Sequence, residues 1–456
     1  MIRAIPTQGP TWCTRFRKSR YDLPRVVESV SSNGYVLFVL SETSWSFLEG
    51  MDVGTTTGPI VVVADTHLGL LAGKRFYMIR NDSRCDLVGL SGFMRWLERL
   101  ETETMQTVIR GSWGTPLEIR KPAQLILLGD YLELWDASDA AVEVSSRGLW
   151  NRMERLTCKK VQVVGNHDFS LNQLASSNAV GFPQGESFIG VYSDTYPPKM
   201  ANGPTWVRVG NVCYLFLHGH QFDWAFRHLG NAWTIISYLR DGAEAFRLWS
   251  WILVLGALLA LIASPFSIVF QSLAVALLLA GALPRLIVTC ARPAWNCLAQ
   301  TRYEPGKALR GFLDWWKNTI EVNKCPDEEL CVVYGHTHLM DIYDSTELKK
   351  HIEAELPRNL KLINIPSWVE DVREEYQKIL RDVALYIDDA GAHLLGWDWK
   401  KEQPFYIPED ITKRIAGGTP IDEQTAQNLG EIGWPQKLLD KLKQPPSILA
   451  MNRRGL

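Results

Sequence analysis

The chain has 456 residues, enough for one large domain with additions or for two modest ones. Its 48 Lys and Arg almost cancel 50 Asp and Glu, and a net charge of −2 gives no electrostatic reason to expect a nucleic-acid partner. Eight cysteines form no CxxC pair and no zinc-ribbon spacing, and the first ten residues have no apolar run behind their one Arg. Reduced thiols in a cytosolic setting are therefore the simplest expectation.

Residues 1–58 carry no repeating pattern and read as an N-terminal extension. From residue 60 onward, five short runs rich in β-branched residues each end in a polar cluster. Residues 60–64 lead into Asp65, Thr66 and His67, and residues 125–128 lead into Gly129 and Asp130. Residues 161–164 lead into Gly165, Asn166, His167 and Asp168. Residues 212–217 lead into His218, Gly219 and His220, and residues 330–334 into Gly335, His336, Thr337 and His338. Such runs predict buried strands of an α/β sheet with polar groups at their C-terminal ends. A helix is predicted over 87–103, a further strand over 360–365, and a hairpin over 384–399 that turns at 388–391. The main domain is expected over 59–223 and 330–400, interrupted by an insertion over 224–329. Residues 401–456 contain Pro404, Pro408, Pro435, Pro445 and Pro446 and predict a loosely packed extension with one helix over 436–443.

Within the insertion, no charged residue occurs from Leu248 to Pro284. A membrane span takes about 17–25 apolar residues, so this run suits two short helices better than one span. Ser264, Pro265, Phe266 and Ser267 break it near the middle. Arg240 and Arg247 precede it, Arg285 and Arg292 follow it, and Trp249, Trp251 and Trp295 stand near its edges. Basic flanks on both sides predict a membrane hairpin over 248–284 with both ends on the cytoplasmic side, either spanning or dipping into the bilayer. The alternative is a buried helical hairpin in a soluble domain. Residues 306–322, with Trp315 and Trp316, read as an interfacial amphipathic helix or as a core-facing one.

The strand-end clusters hold the chemistry. Asp65, His67, Asp130, Asn166, His218, His336 and His338 are hard or borderline oxygen and nitrogen donors with no thiolate among them. That set suits Mn²⁺, Mg²⁺, Fe or Zn²⁺ in a reactive site rather than a structural cysteine–zinc site. Two metals about 3.5–4 Å apart need a carboxylate between them and separate ligands on either side. One DxH or GD after a strand is a weak signal. Six of the chain's nine histidines falling in these clusters is a strong one.

Taken in order, DxH, GD, GNHD, an isolated His and GHxH over residues 60–399 resemble the calcineurin-like metallophosphoesterase superfamily. The resemblance implies a four-layer αββα sandwich of two mixed sheets flanked by helices, here with the apolar helical hairpin inserted. It implies one metal on Asp65, His67, Asp130 and His338, and a second on Asp130, Asn166, His218 and His336, with Mn the foremost expectation. Phosphoester hydrolysis by a metal-bridging hydroxide would follow, with His167 stabilising phosphoryl oxygens or protonating the leaving group. Asp168 is expected either to hold the His167 ring or to cap the next helix.

Residues 129–136 further resemble the GD-x-[FL]-[ED]-x-W signature of the UDP-2,3-diacylglucosamine pyrophosphatase branch, as do Gly165 to Phe169 and Ser367-Trp368. By that likeness Glu133, Trp135 and His220 are candidates for substrate binding. The substrate would be a membrane lipid or lipid-linked nucleotide, hydrolysed at a phosphoester or pyrophosphate bond. The sequence departs from the branch in having His218-Gly219-His220 in place of HGD and a far more apolar insertion. A protein or nucleotide phosphatase anchored to the membrane is the alternative. If His218 and His336 share a metal, the chain between them must return on the side it left.

Overall fold

Side chains alternate across a strand, and the short apolar runs are buried on both faces, so each must feed two cores. The computed structural model describes residues 54–168, 189–222, 252–282 and 329–444, apart from stretches within them, together with Leu309, Arg310 and Leu313. The chain divides into one unit of Met1–Leu71, Ser83–Gly219 and Arg310–Leu456 and another of Ala72–Asp82 and His220–Leu309.

In the larger unit the predicted runs form strands within one or two residues of their expected limits. A seven-stranded mixed sheet has the spatial order Ile189–Ser193, Lys159–Val164, Gln124–Leu128, Ile60–Val63, Val383–Asp388, Gly391–Asp398, Gln403–Ile407. The first four strands run parallel and the last three alternate. A six-stranded mixed sheet has the order Gly54–Thr55, Thr205–Val209, Val212–Phe216, Glu329–Tyr334, Leu360–Asn364, Asp341–Asp344. The predicted hairpin forms, with Asp388 Oδ1 accepting the Ala390 N–H at its turn.

Alternation then sorts the cores. Val61, Val63, Leu125 and Leu127 face Phe93, Met94 and Leu97 of the helix Leu87–Thr102 and Leu149, Trp150 and Met153 of the helix Asp139–Arg155. Ile60, Val62, Ile126 and Leu128 face the other way, onto Val207, Phe216, Cys331, Val333 and Ile363 of the six-stranded sheet. The architecture is thus α+β, with helices on one sheet and that sheet on a second. Leu215, Val332 and Leu362, on the far face of the second sheet, are buried too.

The tail corrects its prediction. Residues 403–442 belong to the inter-sheet core rather than to a loose extension. Gln403–Ile407 pairs with Gly391–Asp398 as the last strand of its sheet. Helices Glu409–Ala416, Glu423–Glu431 and Gln436–Leu442 place Ile411, Ile415, Leu429, Leu439 and Leu442 among the inter-sheet residues. The described prolines punctuate these elements instead of loosening them, and Pro445 and Pro446 lie outside the described residues. Pro404 sits on an edge strand, where a missing N–H is tolerated, while Pro408 immediately precedes a helix and Pro435 is a helix N-cap. Trp434 closes the core, donating its indole N–H to Tyr406 O at 2.7 Å with its ring 5.1 Å from that of Phe405.

In the smaller unit, residues 252–262 and 268–282 are helical, which matches the two halves of the apolar run. Among the described residues no helix is long and apolar enough to cross a membrane. The expected N-terminal extension lies outside the described residues up to residue 53, and Gly54–Thr55 joins the six-stranded sheet. Most of 306–322 lies outside them as well, with Leu309 and Leu313 buried.

Replacing Trp434 with Ala should destabilise the chain by about 3–5 kcal/mol, as large-to-small changes of buried aromatics do. Chemical denaturation followed by circular dichroism would register this as a lower midpoint. An unchanged midpoint would return the tail to the status of an appendage.

Candidate metal centre

Every candidate ligand lies just beyond the C-terminal end of a strand, where the chain must turn sharply out of the sheet. Asp65 and His67 follow Ile60–Val63, and Asp130 follows Gln124–Leu128. Asn166 and His167 follow Lys159–Val164, His218 follows Val212–Phe216, and His336 and His338 follow Glu329–Tyr334. Two of these strands belong to the six-stranded sheet and three to its partner, so the centre forms only when the sheets pack.

The turns are made by unusual backbone. Among the described residues, seven non-glycines have positive φ, and five of them are Asp65 (48°), His67 (47°), Asp130 (47°), His336 (68°) and His338 (58°). Left-handed backbone costs a non-glycine on the order of 1 kcal/mol, Asp and His tolerate it better than most, and it collects at functional sites. Neighbouring loops hold these residues in place. The His67 and Leu68 N–H groups donate to Asp130 O and Tyr131 O, at 2.8 and 2.9 Å, and Glu133 N–H returns to Leu68 O at 2.9 Å. Trp368 N–H donates to Asp65 O at 3.1 Å, and Asn364 Nδ2 donates to the Thr337 hydroxyl between the two GHxH histidines. Glycine is needed for close approach: a Cβ on Gly335 would lie 2.2 Å from Asp65 Oδ2, and one on Gly165 2.3 Å from Asp130 Oδ1.

Among the described residues, three sets of side chains come close enough to hold a metal ion: Asp65, His67 and His338; Asp130, His218 and His336; and His67, Asp130 and His167. Within each set the ligand atoms lie within 4.8 Å of one another. His67 Nε2 is 3.1 Å from His338 Nε2, which is 3.8 Å from Asp65 Oδ1. His218 Nε2 is 3.1 Å from Asp130 Oδ2 and 3.0 Å from Asn166 Oδ1, and the His218 and His336 rings are 5.1 Å apart. All seven residues are therefore brought together.

Proton bookkeeping tests whether cations fit. His218 Nδ1 is 3.2 Å from Leu128 O, a pure acceptor, so Nδ1 carries the proton. In the neutral ring, the Nε2 lone pair then faces two further acceptors, Asp130 Oδ2 and Asn166 Oδ1. His67 repeats the arrangement: Nδ1–H donates to Glu133 Oε2 at 2.8 Å, which leaves the Nε2 lone pair facing His338. Among the described residues, Asp65 Oδ1 is buried with no hydrogen-bond donor to it. Lone pairs that converge without protons repel one another unless a cation lies among them, and a ligand histidine whose other nitrogen donates to a carboxylate or carbonyl is the usual arrangement at a metal. The residues fit divalent cations.

The two carboxylates are driven apart. Burial raises the Asp65 carboxyl above its ordinary range, aided by the Asp130 charge and opposed by His218. Burial acts on Asp130 as well, but when their rings are protonated His218, His167 and His67 together outweigh it and hold the group well below that range. Asp130 is thus the carboxylate around which the imidazoles gather.

Glu133 was expected at the substrate. It is buried and holds two imidazoles, accepting from His67 Nδ1 on Oε2 and from His167 Nδ1 on Oε1, both at 2.8 Å. Burial would raise its carboxyl, but the two histidines reverse this and keep it below the ordinary range. It, rather than Asp168, orients the His167 ring. Asp168 accepts from Gly165 N at 2.6 Å, Tyr131 N at 3.0 Å and Gln162 Nε2 at 3.2 Å, and so ties the GNHD loop to the GD loop. Burial and the nearby Asp130 charge push its carboxyl up to about 7. His220 opens the short 3-10 turn His220–Phe222 and is buried, while Trp135 lies outside the described residues. The signal for Glu133 was a lone acid in the apolar run Tyr131 to Trp135, a charge that burial obliges to find partners.

Glu133→Gln should weaken divalent-metal binding by about 10–100-fold, the range for partners of ligand histidines. Titration calorimetry with Mn²⁺ on the full chain would measure it, and unchanged affinity would remove Glu133 from the centre. Comparison of the chain with protein-family models and with curated proteins finds no match.

Proposed function

We propose that this chain is a metal-dependent hydrolase of phosphoester or pyrophosphate bonds, a calcineurin-like metallophosphoesterase that uses two divalent cations, Mn²⁺ foremost. The observation that carries the reading is Asp130, which belongs to two metal-competent sets at once, one with His67 and His167 and one with His218 and His336. A shared carboxylate between two nitrogen-rich half-sites is the arrangement that in-line phosphoryl displacement uses. Bound there, the cations would supply Lewis-acid activation of the phosphoryl group and of the attacking water.

The remaining work falls to protein side chains. His167 has its Nδ1 proton committed to Glu133, and Nε2 is the atom that would meet the reacting group. The ionised Glu133 stabilises the protonated ring, and an imidazolium can donate to a phosphoryl oxygen or to the leaving oxygen. The T-shaped contact of His67 and His167, with ring centres 4.7 Å apart, keeps that donor beside the metal ligands. The substrate we propose is a membrane lipid or lipid-linked nucleotide acted on at the cytoplasmic face. Support comes from the uncharged run between His218 and His336 and from the likeness of residues 129–136 to the lipid pyrophosphatase signature.

Turnover of bis-p-nitrophenyl phosphate, lipid pyrophosphates and phosphopeptides with Mn²⁺ tests both levels of the reading. His167→Ala should lower kcat by about 10²–10⁴-fold, as loss of a general acid does, with metal content unchanged. Asp130→Ala should lose metal and turnover together. Metal-dependent hydrolysis of none of the three would sink the hydrolase reading. Preference for phosphopeptide would sink only the lipid substrate.

A further inference from the structure

The two helices of the smaller unit are packed inside out. Small residues are buried where the helices pack: Ala257, Ala260 and Ala274 are buried, and a Cβ added to Gly256 would touch the half-buried Leu277 at Cδ1, 3.4 Å away. Their large apolar side chains point outward. Ile252, Leu255, Leu258, Leu259, Leu261 and Ile262 on the first helix are exposed, as are Ile268, Val269, Phe270, Leu273, Val275, Leu278 and Leu279 on the second, with exposures from 37% to 76%. A hairpin stabilised by water would place these residues in the seam and small or polar ones outside.

The breadth of the apolar surface identifies what covers it. At about 100° per residue, the exposed side chains of the first helix sweep roughly half its circumference, and those of the second sweep more. A groove on a protein partner takes a stripe only about 100° wide, whereas a helix apolar on all its free sides needs an apolar surround. No charge interrupts residues 248–284, as acyl chains require; Arg240 and Arg247 precede them together with Asp241 and Glu244, while Arg285 and Arg292 follow with no acid before Glu304, a basic flank complementary to anionic headgroups. The ends of the intervening chain are also tied together. Gly335 N–H donates to His218 O at 2.9 Å, so the segment between must leave and return on one side.

We propose that the helices over 252–262 and 268–282 form a lipid-embedded pair, packed where Gly256, Ala257, Ala260 and Ala274 lie, that docks the full chain on an anionic bilayer. This deepens the lipid-substrate reading by naming the surface that presents the substrate, and it rests on that reading only for its link to catalysis. Small residues at such a seam are what helix pairs use in lipid, where close backbone packing replaces the hydrophobic effect.

The test is flotation of the full chain with vesicles of phosphatidylcholine alone or mixed with phosphatidylglycerol. Binding to both, tighter to the anionic vesicles and only partly reversed by salt, is expected. Leu259→Glu combined with Leu279→Glu should cut the floated fraction by more than about tenfold, because an acidic group in hydrocarbon is strongly disfavoured. Both side chains are exposed, so the far-ultraviolet circular dichroism should be unchanged. Asp130→Ala should float like the parent, which separates failure of the hairpin proposal from failure of the hydrolase one. Equal flotation of the double variant would overturn the proposal. So would a lipid-free dimer, seen by sedimentation, that the same two substitutions dissociate.

Discussion

Asp130 is a carboxylate with almost no access to water, set among the rings of His67, His167 and His218. Burying a charge in this way is costly unless every lone pair finds a proton or a cation, and here the imidazole lone pairs point at acceptors instead. That convergence explains much of the surrounding structure. It accounts for the carbonyl behind His218, for Glu133 behind both His67 and His167, and for the glycines that let neighbouring backbones approach within contact distance of the carboxylates. Remove the convergence and these features have no common purpose. Admit cations and each acquires one.

Holding the ligands costs backbone strain at five positions, and the fold is arranged to carry it. The DTH and GD loops continue the pairing of their parent strands past the sheet edge. Trp368 and Asn364 fasten the outer loops, and Asp168 joins two of them through three donors. The sheets themselves are held by one apolar layer in which residues from both interdigitate, and the C-terminal helices complete that layer. Trp434 therefore bears on the geometry of ligands far from it in sequence, because sheet-on-sheet packing sets the positions of the two groups of loops.

The strands and the candidate ligands were readable because each has a local cause. A run such as Ile60 to Val63 is apolar on both faces and β-branched, which suits a central strand and little else, and the polar residue after it must lie at the strand's end. Glu133 was assigned to the substrate because a sequence shows that an acid is present but not which groups it meets. His67 lies 66 residues away and His167 lies 34, and only folding places them on opposite oxygens of one carboxylate. The tail was misjudged for a related reason: proline marks the ends of elements, and whether those elements then find a core is decided by distant partners. Trp135 stays an expectation outside the described residues.

By itself, then, the sequence determined the donor set, the strand-end placement of those donors and the uncharged character of residues 248–284, all of which follow from composition and short-range pattern. Only the tertiary structure decided that Asp130 is shared between two sets of nitrogen donors, that Glu133 rather than Asp168 orients His167, and that residues 403–442 complete the inter-sheet core. It also decided that Ala257, Ala260 and Ala274 of the apolar helices are buried while most of the large side chains there are exposed. The reason is common to all four: each depends on which side chain faces which across a gap in the chain, and that relation exists only once the sheets and helices have packed.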